Sequence, residues 1–392
     1  MMKKLLVYII TTVLGAVTAM AFLRFGGSIP LRFDNPTLAK LHVEKPQVVG
    51  FLPYWLLSKA DKEYSEYITT LTYFGIGLNS DGSILKRTNP QETEPGWFAL
   101  QGDAVKGRLA DAGKKGMKKS LLIISGDDEI ISGLLNDPVM SATTMMSEVA
   151  PIMKEKQFED LNIDIETFME ASPSSQAKFT LFIQTVKDIL VREKLGTLTI
   201  DLIPIALVQP KLYDMKALGE LADAIVLMTY DYHYSGSFTS GAVAPIGGAG
   251  ETLEFDVEIA VKEALKIIPK EKILLGIPLY GYQWETIEQA SESATIAGGS
   301  ETASVRTVME KIKSCIDCIS GYDAISQSPY LIYPDNDVYK QVYFENEESM
   351  KAKLALAQKY QLGGVALWAL GYEDDALLRP LSTYKSSMSL SW

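Results

Sequence analysis

The hexapeptide Leu161–Glu166 alternates apolar and polar residues, reading Leu-Asn-Ile-Asp-Ile-Glu. This period of two predicts a β-strand, so Asn162, Asp164 and Glu166 project from one face at spacings of roughly 7 Å. Two carboxyl groups held close together acquire different pKa values, so that one stays protonated while the other stays charged. Such a row suits acid–base chemistry in a wet cleft. The alternative interpretation is an edge strand whose polar face is simply solvated.

Strand and helix patterns alternate along the chain after its first part. Eight short runs predict strands, and several are apolar throughout, as expected for a sheet buried on both faces. Amphipathic patterns between them predict helices, including 178–193 and 255–268. Eight strand–helix repeats imply an α/β fold with parallel strands, closed into a (β/α)8 or TIM barrel. The predicted strands are Val48–Tyr54, Leu71–Gly77, Ser120–Ile124, Leu161–Glu166, Leu198–Ile203, Ala224–Tyr230, Ile273–Tyr280 and Gly364–Leu370.

The stretch between the seventh and eighth predicted strands is too long for a single helix. It holds a helical pattern at Val305–Ser314 and a hairpin, Tyr330–Tyr333 and Val338–Phe344, across the turn sequence Pro-Asp-Asn-Asp. We therefore predict a small α+β insertion on the top face of the barrel. The predicted domains are 47–283 and 346–392 for the catalytic barrel and 284–345 for the insertion.

Two lysines precede an uncharged apolar run of 19 residues, Leu5–Leu23, which predicts an apolar helix before the barrel. This length suits a single membrane-spanning anchor, but Ala-Met-Ala at 19–21 also resembles a signal-peptidase site. Segment 1–23 is therefore interpreted as a signal anchor or a signal peptide. In both cases the lysines favour an inside N-terminus, so the rest of the chain would be extracytoplasmic, either anchored or secreted. Residues 24–46, which hold three prolines, are predicted to be a tether.

The composition argues against several classes of function. The formal net charge is −12 and no Lys/Arg-rich run stands out, so nucleic acid is not an expected partner. The chain has two histidines, His42 and His233, and two cysteines, Cys315 and Cys318. A zinc site would need further ligands of these types and is not expected. In an exported protein the cysteines would form a local disulfide or stay as two free thiols.

Aromatic and polar residues collect at the carboxyl ends of the predicted strands, which is where the active sites of such barrels lie. Strand 1 ends with Tyr54 and Trp55, strand 7 runs out towards Trp284, and strand 8 carries Trp368. Strand 6 ends in Met-Thr-Tyr-Asp-Tyr-His at 228–233. Carboxylates among aromatic rings favour a sugar site, because sugar faces stack on rings while hydroxyls take hydrogen bonds.

Together these motifs resemble the family 18 glycoside hydrolases, the chitinase-like (β/α)8 family. The strand-4 signature of that family, Asp-Gly-x-Asp-x-Asp-x-Glu, corresponds to Glu159–Glu166, which reads Glu-Asp-Leu-Asn-Ile-Asp-Ile-Glu. The strand-6 motif Met-x-Tyr-Asp is present at Met228–Asp231, and the strand-8 tryptophan matches Trp368. The resemblance spans about 48–370. Asn-Ile-Asp-Ile-Glu is similar to the branch that includes spore-cortex-lytic N-acetylglucosaminidases.

The resemblance implies a mechanism and a role for each matching residue. Glu166 would be the general acid/base, and Asp164 would orient the 2-acetamido group of the substrate and stabilise the charge that develops on it. The acetamido oxygen would be the nucleophile, with retention at the anomeric carbon. Tyr230 would hydrogen-bond the acetamido carbonyl, Asp231 would contact the sugar, and Trp368 would form the floor under the reacting ring. No metal and no cofactor would be needed.

The other substrate-binding candidates are Asn162, Tyr54, Met228 and Trp284. Asn162 stands where the family has an aspartate that shares a proton or charge with the middle one. Because an amide cannot ionise, we expect Asp164 to lose a like-charge neighbour and to titrate nearer its usual pKa. His233 could touch a sugar, but a hydrogen bond to a loop carbonyl is the favoured interpretation.

Three functions are compatible with these residues. The preferred hypothesis is a monomeric β-N-acetylglucosaminidase acting on an extracellular N-acetylglucosamine polymer, with peptidoglycan as the first substrate choice and chitin as the second. A non-catalytic chitinase-like lectin would share the fold. However, such relatives usually lose the acid that is present here as Glu166. A scaffold protein at the envelope is suggested by the tether alone.

Overall fold

A computed structural model describes residues 42–250, 254–387 and 389–391 of the chain. Its centre is a closed barrel of eight parallel strands, each hydrogen-bonded to two neighbours. The strands follow one another round the barrel in chain order, which confirms the predicted (β/α)8 architecture. Barrel strands 1 to 8 are Gln47–Pro53, Thr70–Gly77, Lys118–Ser125, Asp160–Ile165, Thr197–Leu202, Ala224–Leu227, Ile273–Pro278 and Gly364–Trp368.

Barrel strand 6 ends earlier than its sequence suggests, at Leu227 instead of Tyr230. Beyond it, the backbone N–H groups of Thr229 and Tyr230 bond to carbonyls only two residues back, at 2.8 Å each. Asp231 then adopts a left-handed backbone conformation with φ of 59°. The chain therefore turns away from the ladder at this point, and the turn brings the Met-Thr-Tyr-Asp motif to the top of the barrel.

Helices cover the outside of the barrel between successive strands. The helix predicted at 178–193 begins at Pro173, because Ser172 caps it by accepting a hydrogen bond from the N–H of Ser175 at 3.1 Å. The α-helices are Pro95–Gln101, Asp103–Lys114, Asp128–Leu134, Pro138–Lys156, Pro173–Glu193, Met215–Leu221, Val257–Ala264, Val305–Ser314, Glu347–Lys359 and Asp375–Ser386. Single 3₁₀ turns occur at Tyr54–Leu56, Tyr64–Glu66, Pro204–Leu207 and Lys270–Lys272.

An antiparallel sheet and one helix stand between barrel strands 7 and 8. The first strand of this insertion starts at Tyr280, directly after the end of barrel strand 7 at Pro278. Cys315 and Cys318, just beyond the insertion helix, form a disulfide, which decides between the two alternatives for this pair. In sheet order the insertion strands are Thr295–Ser304, Tyr280–Thr286, Val338–Tyr343, Ser328–Asp335 and Ile319–Asp323.

The apolar run Leu5–Leu23 lies outside the described residues, as does most of the predicted tether. Near the end of that tether, His42–Glu44 pairs with Ser389–Ser391 in a two-stranded sheet. Another small sheet pairs Arg87–Asn89 with Glu92–Thr93. In the part of the chain that the structure describes, no helix has both the length and the apolar character needed to cross a bilayer.

A fully buried ion pair joins the exit of the insertion to the next barrel helix. The Nζ atom of Lys353 lies 2.9 Å from both carboxylate oxygens of Glu345, and the side chains are 0% and 1% exposed. Ser349 donates a further hydrogen bond of 2.6 Å to Glu345. Because each charge has lost its water, each depends on the other to offset the cost of burial.

We expect Lys353→Met to destabilise the protein by about 3–5 kcal/mol, because it leaves the Glu345 carboxyl buried without its cation. The measurement is urea unfolding of the purified protein at neutral pH. Lys351→Met on the same helix is the matched control, since Lys351 pairs with Glu347 at the surface and its loss should matter little. Equal losses in the two variants would contradict this account.

Candidate active site

A cavity of about 420 Å³ opens at the carboxyl ends of the barrel strands. This volume is typical of pockets that bind small molecules or one or two sugar rings. Acidic and phenolic groups share the cavity with aromatic and aliphatic ones. The polar lining is Asp164, Glu166, Asp201, Tyr230, Asp231 and Tyr232, and the apolar lining is Phe51, Phe74, Ile124, Phe168, Ile203, Pro204, Ile205, Met228, Phe255 and Trp368.

Barrel strand 4 pairs with strand 3 on one side and strand 5 on the other, which excludes the edge-strand interpretation. Its polar row therefore points into the barrel, from Asp160 at the bottom through Asn162 and Asp164 to Glu166 at the rim. Asp160 is buried and accepts hydrogen bonds from three hydroxyl groups, which satisfy its carboxylate. The donors are Ser120, Thr197 and Thr199.

Asp164 and Glu166 are neighbouring carboxyls in the cavity wall. Burial raises the pKa of Asp164 well above its usual value, and the charges of Glu166 and Asp201 raise it further. Burial also raises the pKa of Glu166, although the hydrogen bond that it shares with Asp164 acts in the opposite direction. The expectation that Asp164 titrates nearer its usual pKa is therefore wrong, since a like charge other than residue 162 faces it.

Besides Glu166, a second carboxyl acts on Asp164: Asp201 on barrel strand 5, a residue that the sequence motifs do not indicate. It is 3% exposed and lines the cavity. In the parallel register Ile163 pairs with Ile200, so the next step along both strands sets Asp164 beside Asp201. A signal was present in the sequence: this single carboxylate interrupts the apolar and threonine residues of Thr197–Leu202.

Tyr230 and Asp231, which follow barrel strand 6, reach the same cavity. The phenol of Tyr280 donates a hydrogen bond to Oδ1 of Asp231. Burial raises the pKa of Asp231, whereas the phenols of Tyr280 and Tyr282 lower it. Burial and the surrounding carboxyl groups raise the pKa of Tyr230 well above its usual value, so its phenol remains a proton donor at any working pH.

Trp368 forms an aromatic wall of the cavity together with two rings from barrel strands 1 and 2. Its ring centroid lies 5.8 Å from that of Phe51 and 4.7 Å from that of Phe74. Trp55, which is 45% exposed, lies edge-on at 6.3 Å from Trp368 and extends this aromatic surface. Phe168, which sequence reasoning did not single out, also lines the cavity and is exposed.

The structure corrects the assignment of Trp284 to the substrate-binding residues. Trp284 is 0% exposed, and its indole N–H donates a 3.0 Å hydrogen bond to the carbonyl of Tyr234. Its ring packs against Tyr282 and Tyr343 inside the insertion. A sugar cannot stack on a ring that is fully buried, so this tryptophan belongs to the core of the insertion.

Asn162 and Tyr54 also lie outside the cavity lining, whereas Met228, Asp231 and Trp368 are part of it. Asn162 is 1% exposed and sits one step below Asp164 on the strand. Tyr54 begins a 3₁₀ turn and packs edge-on against the neighbouring Trp55 ring. Both were predicted to bind substrate, and neither lines this cavity. Asn162 instead faces the buried end of the carboxyl cluster.

His233 hydrogen-bonds a loop carbonyl, as its sequence position predicts: Nδ1 lies 2.9 Å from the carbonyl oxygen of Ala242. This hydrogen bond fixes the loop after barrel strand 6. In the described ranges, no group of three or more His, Cys, Asp and Glu side chains has an arrangement suited to a metal ion. The ionisable groups that line the cavity are carboxyls and phenols.

Comparison with known proteins agrees with this geometry. Residues 47–373 match the family described as glycosyl hydrolases family 18. The cortical fragment-lytic enzyme of Bacillus subtilis is 29% identical over 62% of this chain and 53% of its own length. The chain thus spans about half of that relative. The uncharacterized glycosylase YvbX of the same organism is 29% identical over 71% of this chain and 78% of its own length.

The fold is also similar to that of the Bacillus cereus spore cortex-lytic enzyme SleL. The two structures superpose with a TM-score of 0.69 at 22% identity, over 88% of this chain and 76% of SleL. The family match covers the whole barrel, including the strand-4 carboxyl row and Trp368. This chain therefore belongs to glycoside hydrolase family 18, within which it resembles the spore-cortex-lytic branch.

Proposed function

We propose that this enzyme hydrolyses β-1,4 glycosidic bonds next to N-acetylglucosamine with retention of configuration. The substrate's own 2-acetamido group would act as the nucleophile, as family 18 enzymes are exceptions to the two-carboxylate scheme. The observation that carries the proposal is the pair Asp164 and Glu166 in one cavity wall, with the phenol of Tyr230 in the same cavity. These are three groups with three distinct tasks.

In the first step, protonated Glu166 donates its proton to the glycosidic oxygen as the bond to the anomeric carbon breaks. The acetamido carbonyl oxygen attacks that carbon from the other face and gives a cyclic oxazolinium ion. Glu166 is suited to the task because burial raises its pKa, so a larger fraction keeps its proton near neutral pH. In the second step, Glu166 takes a proton from water, which opens the ring with net retention.

Asp164 and Tyr230 would hold the acetamido group in its attacking geometry. The carboxylate of Asp164 accepts a hydrogen bond from the acetamido N–H and stabilises the positive charge that develops on the ring. The phenol of Tyr230, which stays protonated because burial raises its pKa, donates to the acetamido oxygen. Because Tyr230 donates to the acetamido oxygen and Asp164 accepts from the acetamido N–H, the site would select N-acetylated sugars over sugars with a free hydroxyl or amine in place of the acetamido group.

The remaining cavity residues would position the sugar ring. Trp368 offers an aromatic face against which the apolar side of the ring can stack. Asp231 is held by the phenol of Tyr280, on the first strand of the insertion, and would accept a hydrogen bond from a sugar hydroxyl. Catalysis is thus assigned to the barrel, 47–283 and 346–392; Tyr280 falls within these bounds, on the strand that continues into the insertion 284–345.

Peptidoglycan is the first choice of substrate and chitin the second. Support comes from the cortical fragment-lytic enzyme among the relatives and from Asn-Ile-Asp-Ile-Glu on barrel strand 4. The paired lysines before the apolar run 5–23 favour export, so we place the enzyme outside the cytoplasmic membrane, where this polymer lies. We expect it to act as a monomer, secreted or anchored by that run.

We expect Glu166→Gln to lower kcat by roughly 10²- to 10⁴-fold, because the amide cannot give a proton to the leaving group. Binding of the substrate should survive, since glutamine has almost the same shape. The assay incubates the wild-type and variant chains with purified peptidoglycan and with chitooligosaccharides and identifies the products by mass spectrometry. Fragments ending in N-acetylglucosamine would name the substrate.

Glu301→Gln is the matched control, because this exposed insertion residue lies outside the cavity lining and its change should leave turnover intact. An undiminished rate in Glu166→Gln would rule out the assigned acid. If the wild-type chain binds these sugars without cleaving them, the chitinase-like lectin becomes the better description.

The same variant should be more stable than the wild type at pH 8. Because burial raises the pKa of Glu166 in the folded state above its unfolded value, folding is increasingly penalised as pH rises from about 4.5 through the raised pKa. Glutamine removes this penalty, so the gain should shrink as pH falls and vanish near pH 4. Thermal unfolding of both proteins across this range is the measurement, and a gain independent of pH would contradict it.

A further inference from the structure

The carboxyl cluster holds one more group than the proposed reaction uses, Asp201. It lies in the cavity wall but one strand away from the signature of barrel strand 4. Adjacent strands lie about 4.8 Å apart, and the last residues paired in the register are Ile163 and Ile200, each directly before one of the two aspartates. Both side chains line the cavity, and the charge of Asp201 acts on Asp164, so the two carboxyls are close neighbours.

The unsatisfied polar atoms of the barrel concentrate at this place. In the described part of the chain, Oδ1 of Asp164, Oδ1 of Asp201 and both amide atoms of Asn162 are buried without a well-formed hydrogen bond. A buried carboxylate without a donor is costly, and two such groups together cannot both keep their charge. A proton on either aspartate would supply the donor that the pair lacks.

We propose that Asp201 and Asp164 form a proton-sharing carboxyl pair, in which Asp201 replaces the carboxyl that Asn162 cannot supply. In this pair Asp201 holds the proton and Asp164 carries the single charge, directed at the acetamido group. The pair keeps its proton throughout turnover, so it adds no step to the reaction. Asp201 is thus a positioning residue, and its assignment rests on the function proposed above.

The surroundings of Asp201 agree with this division of charge. Burial raises the pKa of Asp201 well above its usual value, the adjacent Asn162 lowers it, and the charges of Glu166 and Asp160 raise it again. Asp160 already accepts three hydroxyl hydrogen bonds and has no need of the shared proton. The ionisable groups that face the pair are Asp160, Glu166, Tyr213, Tyr230 and, near Glu166, Asp231.

The experiment compares the wild type with Asp201→Asn and with the double variant Asn162→Asp/Asp201→Asn. The double variant has the same number of carboxyl groups as the wild type, moved from barrel strand 5 to barrel strand 4. We expect Asp201→Asn to lower kcat by at least about tenfold with little change in KM, because an amide cannot share a proton with Asp164 and its N–H donates a weaker hydrogen bond than a carboxylic acid. The double variant should regain most of this loss.

The pH profile of kcat/KM separates positioning from a general structural effect. In Asp201→Asn the acidic limb should move to higher pH, because the amide donates a weaker hydrogen bond to charged Asp164 than a carboxylic acid does and so stabilises its charge less. An unchanged kcat and an unchanged acidic limb would overturn the inference. The inference would also be overturned if the double variant failed to recover the lost kcat and both variants had a lowered Tm.

A measurement that does not depend on catalysis allows the carboxyl pair to be tested separately from the proposed function. Carbon-13 NMR of protein labelled at the aspartate carboxyl carbon should show one carboxyl that is still protonated at pH 7, and this signal should be missing in Asp201→Asn. If the wild type cleaves no N-acetylglucosamine polymer but shows this signal, the proposed function fails and the pair stands. If the enzyme is active and the signal is missing, the pair fails and the function stands.

Discussion

Burying a row of carboxyl groups inside a closed barrel is the constraint on which the rest of this structure depends. Strand 4 contributes Asp160, Asn162, Asp164 and Glu166 to one interior face, and every one of them has lost most of its water. Only the lowest, Asp160, is fully compensated by hydroxyl donors. The upper part of the row stays under-satisfied, and this stored cost raises the pKa values of Asp164 and Glu166. Stability is thus given up at the position where the proposed mechanism holds a proton near neutral pH.

The rest of the molecule holds this row in place and adds two further carboxyls, Asp201 and Asp231, beside it. Eight strands pair on both sides and exclude water from the lower barrel, so the electrostatic interactions near the rim are strong. The turn after Leu227 directs Tyr230 and Asp231 to the cavity, and the insertion adds Tyr280 as a donor to Asp231. The insertion is itself fixed to the barrel helix that follows it by the buried pair of Glu345 and Lys353. Rigid elements on several sides therefore position the groups that would touch a sugar.

The sequence predicts correctly those features that depend on a local pattern of apolar and polar residues. Strict alternation identified the face of strand 4, and apolar runs located the barrel strands to within a few residues. Sequence reasoning failed where side chains from different segments decide whether a group is exposed. Trp284 reads as a sugar platform because it follows a strand end, yet Tyr282 and Tyr343 enclose it. Asn162 was correctly seen as unable to ionise, but the carboxyl that replaces its charge comes from a different strand.

The sequence by itself determined the barrel, the carboxyl row and the membership of Glu166 and Trp368 in a sugar-binding pattern. The period of apolar residues is a property of one continuous segment, and the hydrophobic effect buries the apolar face of that segment. These features can therefore be predicted without knowing which strands are neighbours. The tertiary structure alone decided which groups share the cavity and what their pKa values become. Asp201 lies 37 positions after Asp164 in the chain, and only the parallel register of neighbouring strands sets the two side by side. Electrostatic coupling depends on distance through space, which one-dimensional spacing does not contain.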